Sequence, residues 1–118
     1  MPARIIVARE LAETFRAVGH EVRIRIVEEL AHGDQGELDV HSLVEILDAP
    51  QPTVSQHLSV LRHANLVKQR RSGRNVYYSL RNRGLARWLL GALRFLDSRS
   101  HDADELSRAV EDVRRVWR

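Results

Sequence analysis

The chain has 118 residues, the length of one domain, and is 43% hydrophobic but only 5% aromatic, so an array of modules and a disordered polymer are both excluded and the core must be built from Leu, Val, Ile and Ala. The absence of cysteine excludes disulfides, iron–sulfur clusters, thiolate zinc sites and thiol catalysis; with no run of ~18 apolar residues and a charged opening stretch, no membrane partner is expected and the expected location is cytoplasmic. Net charge is only +3, yet Ala49 to Phe95 holds nine Arg and Lys and no Asp or Glu, while the rest of the chain is net acidic, a distribution that attracts a polyanion.

In chain order, Ile6 or Val7, Leu11, Phe15 and Val18 recur at steps of three and four and predict an amphipathic helix over residues 5–17, ended by Gly19. Val22, Ile24, Ile26, Val27 and Leu30, interleaved with Arg23, Arg25, Glu28 and Glu29, predict a second helix from His20 to Ala31. A His-Gly-Asp-Gln-Gly run at 32–36 closes it, and His20 and His32 stand at its ends as polar caps. Asp39 then caps a short third helix over 40–48, with Val40, Leu43, Val44 and Leu47 inward. Pro50 and Pro52 disfavour helix in the residues before them, but Pro52 suits the first turn of a fourth helix running to His63. That helix buries Val54, Leu58 and Leu61 and leaves Thr53, Ser55, Gln56, His57, Ser59 and Arg62 on outer faces.

After Asn65 the period changes from 3.6 to 2. Residues 67–71, a Ser-Gly pair at 72–73 and residues 75–80, with Val76, Tyr78 and Leu80 on one face, predict a hairpin whose tip carries Arg70, Arg71 and Arg74. A fifth helix over 82–97 aligns Leu85, Trp88, Leu89, Ala92 and Leu96. A sixth, over 102–117, opens with Asp102 and Glu105 in a capping-box spacing. Its apolar seam, Ala103, Leu106, Val110, Val113 and Trp117, has the width for one neighbouring helix, the first or the fifth.

Two short helices across a tight turn, the second followed at once by a basic hairpin, make up the order of a winged helix-turn-helix. The expected architecture is mainly α with a small β-hairpin, a single domain over 1–118 with its core at about 10–98. A helix fits the DNA major groove, where short polar side chains reach base edges, and a basic hairpin can lie along the backbone. The expected DNA-binding residues are Thr53, Ser55, Gln56, His57, Ser59 and Arg62 of the fourth helix and Lys68, Arg70, Arg71, Arg74 and Tyr77 of the wing. A winged helix that docks proteins instead is the alternative, but it would more often show apolar residues on the outer face of the fourth helix. Nothing resembles a nucleophile elbow or a glycine-rich phosphate loop, so neither an enzyme nor a cofactor is expected.

The runs Ala-Val-Gly-His-Glu-Val-Arg-Ile-Arg-Ile-Val-Glu-Glu-Leu at 17–30, Pro-Thr-Val-Ser-Gln-His-Leu-Ser-Val-Leu-Arg-His-Ala-Asn-Leu-Val at 52–67 and Arg-Arg-Ser-Gly-Arg-Asn-Val-Tyr-Tyr-Ser-Leu at 70–80 closely resemble the ArsR/SmtB family of bacterial repressors. The resemblance covers roughly residues 10–98. It implies a homodimer that represses transcription from an inverted-repeat operator in double-stranded DNA and usually lets go when an effector binds. It also implies an interface built by the first and fifth helices, here Leu11, Phe15, Leu85, Trp88, Leu89, Ala92 and Leu96. Where the arsenic-sensing branch carries Cys-Val-Cys, this chain has Asp39, Val40 and His41. An oxygen/nitrogen metal site there is conceivable, but two ligands on one turn do not complete one, and a cap with a first-turn histidine is the simpler reading. The zinc-sensing branch places histidines on its fifth helix. Residues 82–97 have none, and His101 with Asp104 keeps half of that spacing beyond the helix end. The effector, a small molecule or a metal, is not legible.

Overall fold

The computed structural model describes residues 2–99 and 103–117. It divides into two compact units, Met1–Asn82 and Arg83–Arg118. The first contains α1 (Pro2–Val18), α2 (Glu21–His32), β1 (Glu37–Asp39), α3 (Val40–Leu47), α4 (Gln51–His63), β2 (Val67–Ser72) and β3 (Asn75–Leu80). The second contains α5 (Gly84–Arg99) and α6 (Ala103–Trp117).

In the first unit each helix ends for a local reason. At Gly19 a Cβ would sit 2.8 Å from the Phe15 carbonyl oxygen, so the chain can turn from α1 into α2 only without a side chain there. His20 caps α2: its Nδ1 accepts a hydrogen bond from the Val22 N–H at 3.1 Å. Asp48 stops α3 in the left-handed conformation (φ 50°, ψ 50°), its N–H turning back onto the carbonyls of Glu45 and Val44. Three residues, 48–50, separate α3 from α4, and Pro52 stands in the first turn of α4 as its missing N–H permits. Asn65, also left-handed at φ 59°, turns the chain from α4 into β2; Asn tolerates this conformation better than most residues.

The apolar stripes converge on one core. Ile26, Val27 and Leu30 of α2, Leu43 and Leu47 of α3, Val54, Leu58 and Leu61 of α4, and Val67 and Leu80 of the strands are all buried. Fully burying a side chain of this kind stabilises by about 1.5–3 kcal/mol, and this common core fixes α4 against α2 and α3. Ile24, a member of the apolar set that predicts α2, is 39% exposed.

The strands form a three-stranded antiparallel sheet in the order β1-β3-β2. The hairpin is legible in the sequence; β1 is not, because three residues carry no period. It forms because Glu37, Leu38 and Asp39 pair with Ser79, Tyr78 and Tyr77, giving β3 a second hydrogen-bonded neighbour. The hairpin register sets Ser72 opposite Asn75, so the turn is Gly73-Arg74 and not Ser72-Gly73. Gly73 has φ +61°, the conformation a two-residue hairpin turn demands and that glycine adopts without strain. Helix boundaries differ by two or three residues from the expected ones: α1 starts at Pro2 and α5 runs 84–99, because apolar spacing marks the packed part of a helix and not its ends.

In the second unit α6 packs against α5, the neighbour foreseen as one of two, with Val110 buried and Val113 half-buried. His101 and Asp102 lie outside the described residues, as do the side chains of Asp104 and Trp117, so the capping box and the half-spaced metal pair have no structural account. No described helix is long and apolar enough to cross a membrane.

Candidate nucleic-acid interface

Burying Val54, Leu58 and Leu61 turns the opposite side of α4 outward. Ser55, Gln56 and Arg62 are exposed there, and Thr53 and Ser59 are half-buried. Ser59 lies toward α1: with Val60, His63 and Ala64 it lines a cleft of about 420 Å³ against Glu13, Arg16 and Ala17. His63 Nδ1 is 2.7 Å from the Ser59 carbonyl oxygen, so that ring is tethered to its own helix. The ring of His57 is also not free on the outer face. It is half-buried, with its centroid 4.3 Å from that of His20 at the start of α2. The outward surface of α4 is therefore Ser55, Gln56 and Arg62, flanked by Thr53 and Ser59.

In the wing, Lys68, Arg71 and Arg74 are exposed. Arg70 has a different setting. Its Nη2 donates to Glu37 Oε1 at 2.6 Å and its Nε to Oε2 at 3.4 Å, and its guanidinium carbon stands 4.9 Å from the centre of the Tyr77 ring. Strand register explains the contact: Arg70 pairs with Tyr77 while Glu37 sits across from Ser79 on the same face of β3. The hydrogen bond from Arg70 holds the Glu37 carboxyl below its ordinary range, and Lys68 adds a smaller effect in the same direction. Arg70 and Tyr77 thus form a clasp that ties β2 across β3 to β1, and Glu37, from outside the acid-free segment, neutralises one of its charges. Sequence reading missed Glu37 and His20 as members of this region.

A match to the family model for bacterial regulatory proteins of the arsR family covers residues 20–69, from the cap of α2 into the wing. The HTH-type transcriptional repressor SmtB of Mycobacterium tuberculosis is 44% identical over 81 residues, 69% of this chain and 58% of that protein. The crystal structure of the transcriptional repressor PagR of Bacillus anthracis superposes with a TM-score of 0.62 at 34% identity, over 72% of this chain and 98% of that one. The chain belongs to the ArsR family. A further ArsR-type neighbour in structure, the transcriptional repressor BigR from Xylella fastidiosa, has a TM-score of 0.69 at 29% identity, over 80% of this chain and 93% of that one. The chain spans less than two thirds of the length of the first curated relatives it matches.

Asp39 and His41, which the resemblance sets where the arsenic-sensing branch has thiolates, lie at the start of α3. Asp39 occupies the N-cap position of α3 in an extended conformation, and its carboxylate accepts a hydrogen bond from the Ser42 hydroxyl. That bond is the main reason its carboxyl is held below the usual range. Backbone hydrogen bonds from Ser42 and from Asp39 itself act in the same direction more weakly. His41, two residues beyond Asp39, is exposed. Among the described residues no group of three or more His, Cys, Asp or Glu is placed to hold a metal ion.

Proposed function

We propose that the chain is a sequence-specific transcriptional regulator that binds double-stranded DNA as a homodimer, acts as a repressor at an inverted-repeat operator and works in the cytoplasm. The observation that carries this reading is the pairing of an uncharged polar face on α4 (Ser55, Gln56) with basic side chains on the wing that follows it (Lys68, Arg71, Arg74). Side chains of the first kind match base edges and those of the second match phosphates. The relatives named as transcriptional repressors support it. No catalytic residue and no cofactor enter this reading.

The dimer is supported by α1. Ile5, Ile6, Val7, Leu11 and Phe15 are all between 47% and 59% exposed, an apolar surface that a stable monomer rarely leaves wet. On α5 Trp88 is 38% exposed, Ala92 is exposed, and Leu89 and Leu96 are half-buried, whereas Leu85 is already buried within the chain. Two-fold symmetry would set the two recognition helices about 34 Å apart, one turn of DNA.

Selection from a random duplex pool, followed by anisotropy titrations at several salt concentrations, tests the reading. The expected result is an enriched inverted repeat, bound with an affinity that falls steeply as salt rises. Recovery of no common sequence, or an affinity indifferent to salt, overturns it. Sedimentation of the full chain and of Leu11→Glu tests the dimer, which the substitution should disrupt.

A further inference from the structure

The helix that supports the reader and the reader itself, α2 and α4, meet through two imidazoles. His20 is committed as the N-cap of α2, its Nδ1 accepting from the Val22 N–H. Only a ring with a bare Nδ1 can accept, and an imidazolium has donors at both nitrogens. A positive charge at that position also opposes the helix dipole. Against this ring lies His57 of α4, at 4.3 Å between centroids and tilted by 41°. The Nδ1 of His57 is buried and meets no hydrogen-bond partner, and the Nε of Arg23, one turn along α2, is in the same condition. The charged groups that act on His57 are His20 and Arg23, both basic and both from α2. No group of α1, α3 or β2, which also pack on α4, acts on it.

We propose that the His20–His57 contact is a proton-sensitive joint: His20 is a positioning residue that seats the recognition helix while both rings are neutral, and acidification weakens operator binding by loosening α4 from α2. The proposal rests on the DNA-binding reading for its output and on geometry for the joint itself. Protonating His20 removes the cap of α2. Protonating His57 places a positive charge beside Arg23, and beside His20 once that ring is protonated too. Burial first, and these two neighbours next, hold the His57 imidazole below its usual 6.5. A histidine whose folded value lies below its unfolded one contributes fully above pH 6.5, and that contribution is lost as pH falls from there through the folded value.

The direction is the diagnostic feature. A histidine on an open surface that gains charge in acid strengthens attraction to phosphate, whereas the joint acts the other way.

The test uses the full chain and the selected operator duplex, with anisotropy titrations from pH 8 to pH 5.5 at constant ionic strength. Imidazole NMR titrations follow the same range without DNA. The wild type should bind more weakly at pH 5.5 than at pH 8, by at most about tenfold for each ring that has to be neutral to seat the helix, because pH 5.5 lies one unit below the ordinary imidazole value of 6.5. His20→Asn, which retains a capping side chain and cannot protonate, should lose part of the acid weakening, read as the ratio of the variant's own affinities at pH 5.5 and pH 8. In the wild-type NMR titration His57 should protonate below its ordinary 6.5. Binding that is flat or tighter in acid overturns the proposal, as does a His57 ring that titrates at or above 6.5, or an acid weakening in His20→Asn as large as in the wild type. A chain that binds no duplex at pH 8 refutes the DNA reading instead, and the NMR titration then still decides the joint.

Discussion

The wing and the recognition helix solve different problems with their charge. In the wing Lys68, Arg71 and Arg74 project into solvent from a hairpin, while Arg70 is clasped between Glu37 and Tyr77. On α4 the outward positions are mostly uncharged, with Arg62 near the end, and its half-buried histidine is turned back onto α2. Exposed flexible cations suit phosphates, whose attraction depends on charge and hardly on register; uncharged hydrogen-bonding groups suit base edges, where a misplaced donor costs affinity. The first needs only a stiff hairpin. The second needs a helix held at a defined depth and angle, and α4 is held by three fully buried side chains, Val54, Leu58 and Leu61.

The largest effect expected from breaking this division is Leu58→Ala. Leu58 is 0% exposed, and truncating such a leucine costs about 2–5 kcal/mol; urea unfolding should show the loss, and operator binding should fall with it. A cost under about 0.5 kcal/mol, the range of ordinary surface changes, would mean that α4 is not anchored as described. Next is Gln56→Ala, which should lower discrimination between operator and scrambled duplex by about 1–3 kcal/mol, the worth of a good base contact, with unfolding unchanged. If it weakened all duplexes equally, α4 would be a backbone-binding element and the contrast with the wing would collapse.

Smaller still, Arg71→Ala and Arg74→Ala should weaken binding to every duplex alike and each reduce the slope of log affinity against log salt by about 1. A change in sequence preference would make the wing a reader. The smallest effect belongs to Glu37→Gln, which releases Arg70 from an exposed pair of the kind that contributes little to stability. Unfolding near pH 7 should hardly change, and non-specific DNA binding should tighten slightly as a cation is unmasked. The Glu37 carboxyl titrates below its ordinary 4.5 in the folded chain. Its contribution is therefore in place above that pH and is lost as pH falls through the folded value, so wild type and variant should converge in acid.

Much of this architecture is written locally. Val54, Leu58 and Leu61 at steps of four and three define the buried face of α4 without reference to any other element, and Pro52 and the turn glycine, Gly73, mark where helix and hairpin begin and bend. The acid-free run and the exposed Gln56, Arg71 and Arg74 follow from the same strings, because a surface side chain needs no partner to be identified. What only the tertiary structure decided is who meets whom. Glu37 reaches Arg70 across 33 residues because β1 adds to β3 in one register, and a three-residue strand has no periodicity from which that register could be read. His57 turns toward His20 because α2 and α4 share a core that brings the cap of one helix against the flank of the other. Periodicity states which face of a helix is buried, but a residue on the border of that face is given its role by the neighbouring element, and that neighbour is chosen by packing.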